Sequence, residues 1–205
     1  MNIKLEDKIA CFVGPPDSGK TSLARYLLTL PEYRSHLIYD PLGGFDPELF
    51  NVVRPPKETK YRRYQEGNPE LNHAVDRFIT GVEPKLRPRY FVVDEAGRLL
   101  PNGKPEGGAV GEINDFNAHL NLGLWIIGQR LQQLNSDLKN KATYYFITGY
   151  SGKNDKNYLD DIHEEASNYV NNQKSRYDFT LIGPNGQIDN YKSIDPMERD
   201  AKSYF

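Results

Sequence analysis

The sequence predicts an α/β fold with a mainly parallel sheet and helices on both faces, and three observations predict it. Apolar runs of strand length alternate with segments of helical periodicity along most of the chain. The first run, Ile9-Ala10-Cys11-Phe12-Val13, passes through a glycine-bounded loop straight into a helical pattern. A later run, Arg89-Tyr90-Phe91-Val92-Val93, ends in the carboxylates Asp94 and Glu95, as a buried parallel strand does at the carboxyl edge of its sheet.

The first strand, residues 8–13, is apolar throughout, which suits burial on both faces. It is followed by Gly14-Pro15-Pro16-Asp17-Ser18-Gly19-Lys20-Thr21, a complete P-loop, and then by Ser22-Leu23-Ala24-Arg25-Tyr26-Leu27-Leu28 within a predicted helix 19–30. Strand, loop and helix in that order provide what a triphosphate needs, namely convergent backbone N–H groups and the positive end of a helix dipole. Gly14, Pro15, Pro16, Asp17, Ser18, Gly19, Lys20, Thr21 and Ser22 form the expected nucleotide-contacting set. Lys20 is expected on the β- and γ-phosphates, and the Thr21 hydroxyl on Mg²⁺.

Strands follow at 36–39 and 50–53, a helix at 69–80, and the strand 89–94. Asp94 is expected to contact Mg²⁺ directly or through a bound water, as a Walker B aspartate does. Glu95, one residue on, is the candidate general base that polarises water against the γ-phosphate. This favours hydrolysis over phosphoryl transfer to an acceptor. A helix at 111–120 leads to the strand 122–128, whose end carries Gln129 and Arg130. The Gln129 amide is expected between the P-loop and the Asp94 strand, in reach of the γ-phosphate. Lys20, Glu95 and Gln129 are therefore the catalytic candidates.

The remaining elements are a helix at 130–140, strands at 142–148 and 177–182, and a helix at 155–171. The acidic positions Asp160, Asp161, Glu164 and Glu165 read as a solvated helix face. Asn185-Gly186 marks a tight turn, and the last fifteen residues read as an arm. The chain is taken as one P-loop domain over 1–205, with a core of about 8–150 and a C-terminal helix, strand and arm over about 151–205.

Two irregular stretches stand out. Residues 54–64 combine Arg54, Lys57, Lys60, Arg62 and Arg63 with Tyr61 and Tyr64. That mixture serves phosphate contact and base stacking, and equally a solvated loop. Residues 101–111 are too glycine-rich for regular structure and read as a long connection or a nucleotide-responsive loop.

Composition limits the function classes. With 205 residues and a net charge of −2, the chain can bury a core but announces no basic field for static nucleic-acid binding. The single cysteine, Cys11, allows no internal disulfide and reads as core. No apolar stretch approaches the roughly twenty residues that span a bilayer, and Met1–Asp7 lacks a signal peptide, so a soluble protein is expected. The guanine-reading pattern Asn-Lys-x-Asp is absent, which disfavours a GTP switch. A P-loop kinase acting on a small acceptor remains an alternative.

Gly14–Thr21, Tyr39-Asp40-Pro41 with Gly43-Gly44, Val92-Val93-Asp94-Glu95 and Gly123–Gly128 with Gln129-Arg130 together resemble the HerA/FtsK superfamily of DNA-pumping ATPases. The short form is similar to genome-packaging ATPases of tailless icosahedral viruses with an internal membrane, in particular those of turreted archaeal viruses. The resemblance covers roughly residues 8–150. It implies a RecA-like P-loop NTPase core, a hexameric ring, and Mg²⁺-dependent ATP hydrolysis driving double-stranded DNA into a capsid. It also implies capsid or membrane proteins at a portal vertex as partners, and a place in the host cytoplasm or the virion. Filamentous-phage assembly ATPases look similar. The superfamily often places a trans-acting arginine in the helix before the Gly-Leu strand. Here that stretch reads Phe116-Asn117-Ala118-His119-Leu120-Asn121, so Arg87, Arg89 and Arg130 become the candidates.

Overall fold

Strand β1 (Ile9–Val13) lies at the centre of the molecule because every one of its residues is apolar and buried. The computed structural model describes residues 3–55, 73–74, 88–100, 109–175 and 177–192. In chain order β1 is followed by α1 (Lys20–Thr29), β2 (His36–Tyr39), β3 (Val52–Val53), β4 (Tyr90–Val93), α2 (Ala96–Leu99) and α3 (Ala109–Leu120). The chain continues through β5 (Gly123–Gly128), α4 (Ser136–Lys141), β6 (Tyr144–Ile147), α5 (Gly152–Ile162), α6 (Ala166–Asn171), β7 (Phe179–Ile182) and β8 (Ile188–Tyr191).

The strands form a single sheet in the order β3-β2-β4-β5-β1-β6-β7-β8. All pairings from β3 through β6 are parallel, whereas β6–β7 and β7–β8 are antiparallel. One strand, β5, separates the P-loop strand from the Asp94 strand, with Val13 beside Gly128 and Val93 beside Ile126. The carboxyl ends of β1, β4 and β5 therefore open on the same edge.

Side-chain alternation along the strands explains the two covered faces. Ala10 and Phe12 point to one side, where Trp125, Ile127 and Phe146 meet Leu23, Ala24, Leu27 and Leu28 of α1. Ile9, Cys11 and Val13 point to the other, against Leu99 of α2, Ile113 of α3, Leu138 of α4, Leu159 of α5 and Val170 of α6. The Phe12 ring stacks on Phe146 with centroids 4.5 Å apart and tilts against Trp125 at 5.2 Å. Each such fully buried aromatic contributes on the order of 1.5–3 kcal/mol through area removed from water. The sheet edge that carries the chemistry is thereby held from both sides.

The strand expectations hold in order and in kind, with trimmed ends. Three helical expectations change. The helix expected at 130–140 breaks at Asn135, whose side chain accepts from the Asp137 N–H at 2.8 Å and caps α4. The helix expected at 155–171 begins earlier, at Gly152, and breaks at His163, which is extended (φ −155°, ψ 126°). Asp160 Oδ1 then accepts from Ser167 N–H at 3.1 Å and ties α6 back to α5, while Lys156 pairs with Asp160 at 2.7 Å. Residues 109–111 of the glycine-rich stretch are helical, as the start of α3.

Strand β8 and helix α2 have no counterpart in the sequence reading. The Asn185-Gly186 turn is present, with φ of 62° and 72°, and returns the chain as β8. The predicted helix 69–80 apart from 73–74, the cationic segment beyond Pro55, Arg87, residues 101–108 and the terminal arm beyond Lys192 lie outside the described residues.

Candidate nucleotide-binding and hydrolysis site

The P-loop leaves β1 at Gly14, whose N–H donates to Gly128 O at 3.4 Å, and re-enters regular structure at Lys20. Gly19 takes φ 90° at the start of α1, a conformation that only glycine adopts without strain. No side chain caps the helix and no acidic residue occupies its first turn, so its N-terminal donors suit an anionic ligand.

Close packing fixes the loop from behind. Ser18 and Thr148 hydroxyls lie 2.6 Å apart, and the Thr148 N–H donates to Val13 O at 2.9 Å. A Cβ at Gly14 would run into both hydroxyls. Thr148 stands just after β6, and its role was not visible in the sequence because any strand can end in threonine.

Lys20 is buried, and its ammonium donates to Pro15 O at 3.3 Å. Burial lowers its pKa, while Glu95, Asp94 and Asp17 raise it.

Asp94 closes β4 and is buried. Its carboxyl is pushed up to about 7, first by burial, with Glu95 and Asp40 adding to the effect and the Glu95 N–H and Lys20 opposing it. The two side chains assigned to a metal converge on Gly44. A Cβ there would be 3.2 Å from Asp94 Oδ2 and 3.6 Å from Thr21 Cγ2. A buried carboxylate oxygen whose charged form burial disfavours fits a hard divalent cation.

Glu95 takes φ 54° and ψ 36°, left-handed backbone for a residue with a side chain. Such a conformation costs on the order of 1–3 kcal/mol and concentrates at functional positions. It turns the chain sharply from β4 into α2, with the Glu95 N–H donating to Asp94 Oδ1 at 3.0 Å. Gln129, at the end of β5, points its Nε2 at Glu95 Oε2 across 3.5 Å, the outer limit of hydrogen bonding. Lys20, Asp94, Glu95 and Gln129 therefore share one edge of the sheet, in the arrangement expected from their sequence positions.

Two of the three candidate arginines are among the described residues. Arg130 Nε is 3.8 Å from Asp155 Oδ2, a buried carboxylate that also accepts from Ser151 N–H at 3.2 Å. Arg89 precedes β4, at the sheet end opposite the P-loop, and pairs with Glu6 at 2.7 Å while remaining largely exposed. On the side of the P-loop away from Asp94, a cleft of about 620 Å³ is lined by Pro15, Pro16 and Ser18, by Thr148 and Tyr150, and by Gln173 with its neighbours. Its volume is within the roughly 300–1,000 Å³ usual for small-molecule sites.

No protein-family model and no curated protein matches the chain. Solved structures do. The genome-packaging NTPase B204 of Sulfolobus turreted icosahedral virus 2, in complex with AMPPCP, superposes with a TM-score of 0.73 at 20% identity, over 92% of this chain and 98% of that one. B204 of Sulfolobus turreted icosahedral virus, described as its DNA-packaging ATPase, gives a TM-score of 0.66 at 16% identity, over 93% and 100%. The pCW3 conjugation coupling protein TcpA, in a monomer form with ATPγS, gives 0.60 at 12% identity, over 97% of this chain and 64% of that one. The fold is the RecA-like P-loop NTPase fold that these proteins share. Among the described residues, no helix is long and apolar enough to cross a membrane.

Proposed function

We propose that this chain is an ATP-hydrolysing motor that translocates double-stranded DNA and packages a viral genome into a preformed capsid. The observation that carries the hydrolytic part is Glu95. Its carboxylate stands beside the metal-type aspartate but is directed to Gln129 across the β4–β5 boundary, so a general base and an amide share one approach to the γ-phosphate.

The nucleoside occupies the cleft beside Pro15, Pro16 and Tyr150, and the phosphates run along the P-loop towards Asp94. Lys20 neutralises the β- and γ-phosphates. Thr21 and Asp94 would hold Mg²⁺, which when bound would supply charge stabilisation for the departing diphosphate. Glu95 accepts the proton of the attacking water, and Gln129 orients that water and registers the γ-phosphate. A base so placed favours water over a small acceptor, and hence hydrolysis over kinase chemistry.

Translocation is assigned from the shared fold and from the order of the four motif-bearing segments. It carries with it a hexameric ring, a trans-acting arginine from a neighbouring subunit, and capsid or membrane proteins at a portal vertex. The decisive assay is Mg²⁺-ATP turnover by size-fractionated oligomers with and without double-stranded DNA. Stimulation confined to the oligomer supports the motor. Turnover that needs a small acceptor and ignores DNA supports a kinase instead.

A further inference from the structure

The loop between β2 and β3 forms one wall of the candidate metal site, and a single carboxylate dictates its shape. Asp40 directly follows β2 and is completely buried. Its Oδ1 accepts from the backbone N–H groups of Leu42 at 3.2 Å, Gly43 at 2.7 Å and Gly44 at 3.0 Å, and its Oδ2 from Phe45 N–H at 3.0 Å. Arg54, just beyond β3, donates to Asp40 Oδ2 at 3.5 Å and to the Phe45 carbonyl. Charge-assisted bonds of this kind are roughly twice as strong as neutral ones, and four of them on one side chain define a single loop conformation.

The loop so wrapped reaches the chemistry at Gly44. The space a Cβ would take there is bounded by Asp94 Oδ2 at 3.2 Å and Thr21 Cγ2 at 3.6 Å. Gly44 has none of the left-handed backbone that characterises Gly43. What the position requires is a missing side chain, so that the backbone can lie against Asp94 and Thr21. Asp40 itself touches neither of them through a hydrogen bond.

We propose that Asp40 is a positioning residue for metal-dependent nucleotide hydrolysis: by gathering the Leu42–Phe45 amides it holds Gly44 as the wall against which Asp94 and Thr21 are oriented. The proposal rests on the Mg²⁺-ATP reading above. Outer-shell carboxylates that orient metal ligands typically matter by about 10–100-fold in metal affinity or activity, and a loss in that range is expected here.

The test uses Asp40→Asn and Gly44→Ala in the full chain, each compared with wild type for melting temperature, ATP turnover against Mg²⁺ concentration, and affinity for a fluorescent ATP analogue in EDTA and in Mg²⁺. Amide hydrogen exchange over residues 42–45 is followed in parallel. In Asp40→Asn one amide N–H meets an NH₂ group in place of an oxygen, so exchange over 42–45 accelerates. Turnover falls and more Mg²⁺ is required, with affinity in EDTA unchanged. Gly44→Ala keeps the loop amides protected and the melting temperature intact but shows the same Mg²⁺ defect, because its Cβ intrudes on Asp94. Wild-type Mg²⁺ dependence in either variant overturns the proposal. So does a loss of EDTA affinity in Asp40→Asn that tracks a lower melting temperature, which would mark a merely structural role. Should Asp40→Asn fail to fold, Gly44→Ala decides alone. Should wild type turn over no ATP, the hydrolysis reading fails by itself, and the Mg²⁺-dependent gain in nucleotide affinity still distinguishes the variants.

Discussion

Glu95 Oε2 and Gln129 Nε2 approach to 3.5 Å although they belong to different strands and lie 34 positions apart. The contact exists because β4 and β5 are neighbours in register and both end at the sheet edge that the P-loop overhangs. It joins the candidate base to the candidate γ-phosphate sensor.

Glu95→Gln is expected to bind Mg²⁺-ATP as wild type does and to hydrolyse it about 10²–10⁴-fold more slowly, the usual value of general-base assistance. Single-turnover rates together with equilibrium binding check this. Turnover within a few-fold of wild type would assign water activation to another group.

Gly14→Ala is expected to destabilise the fold by about 1–3 kcal/mol through overpacking, because its methyl group meets the Thr148 and Ser18 hydroxyls. Thr148→Val instead removes the hydroxyl's bonds to Ser18 and to the Val13 carbonyl, each worth about 0.5–1.5 kcal/mol. Denaturant melts should show both variants less stable than wild type. Equal stability of Gly14→Ala and wild type would mean that the loop is not clamped against the end of β6.

Arg130 and Arg89 differ in their partners, the buried Asp155 for Arg130 and the exposed Glu6 for Arg89, while Arg87 lies outside the described residues. Arg130 is held by Asp155 of its own chain, so Arg130→Ala should disturb the Gln129 end of β5 in each subunit without poisoning mixed rings. Arg89→Ala or Arg87→Ala should bind ATP normally and poison mixed rings, since a trans-acting finger is worth about 10³–10⁵-fold in turnover. Titration of each inactive variant into wild type reads the difference. Three fully active single variants, or a monomer as fast as any oligomer, would remove the trans-acting site.

Cys11 is fully buried in β1, and burial pushes its thiol from 9.0 up to about 12, with Lys139 opposing the shift. The native protein should therefore resist iodoacetamide at pH 8–9 and react at once when unfolded. Between about pH 9 and 12 the unfolded chain releases this proton while the folded chain keeps it, so the thiol contribution to stability falls as pH rises through that window. Rapid alkylation of native protein at pH 8 would contradict the burial of β1.

The strands and the P-loop were legible in the sequence because both carry local signals, namely unbroken apolar runs and a glycine-bounded spacing. Asp94, Glu95 and Gln129 followed from strand ends, since a parallel sheet delivers such ends to one edge. What was not legible depends on specific side-chain contacts that periodicity does not report. Asn135 and His163 break helices that periodicity alone would continue, through a cap on Asp137 and a tie from Asp160 to Ser167. Strand β8 has only Ile188 and Tyr191 as partly buried positions, too weak an alternation to announce an edge strand. Thr148 acts through a tertiary contact with Ser18, and Asp40 through amides of its own loop. Asp40-Pro41 and Gly43-Gly44 entered the sequence reading only as part of the family resemblance.

On the proposed motor reading, ATP hydrolysis at this site moves the chain along duplex DNA. The most direct measurement is displacement of a triplex-forming oligonucleotide from double-stranded DNA by the assembled oligomer. ATP with Mg²⁺ should release the third strand, whereas AMPPCP, omission of Mg²⁺, or the Lys20→Ala variant should not. ATP turnover that is indifferent to duplex DNA and leaves the third strand in place would contradict the account.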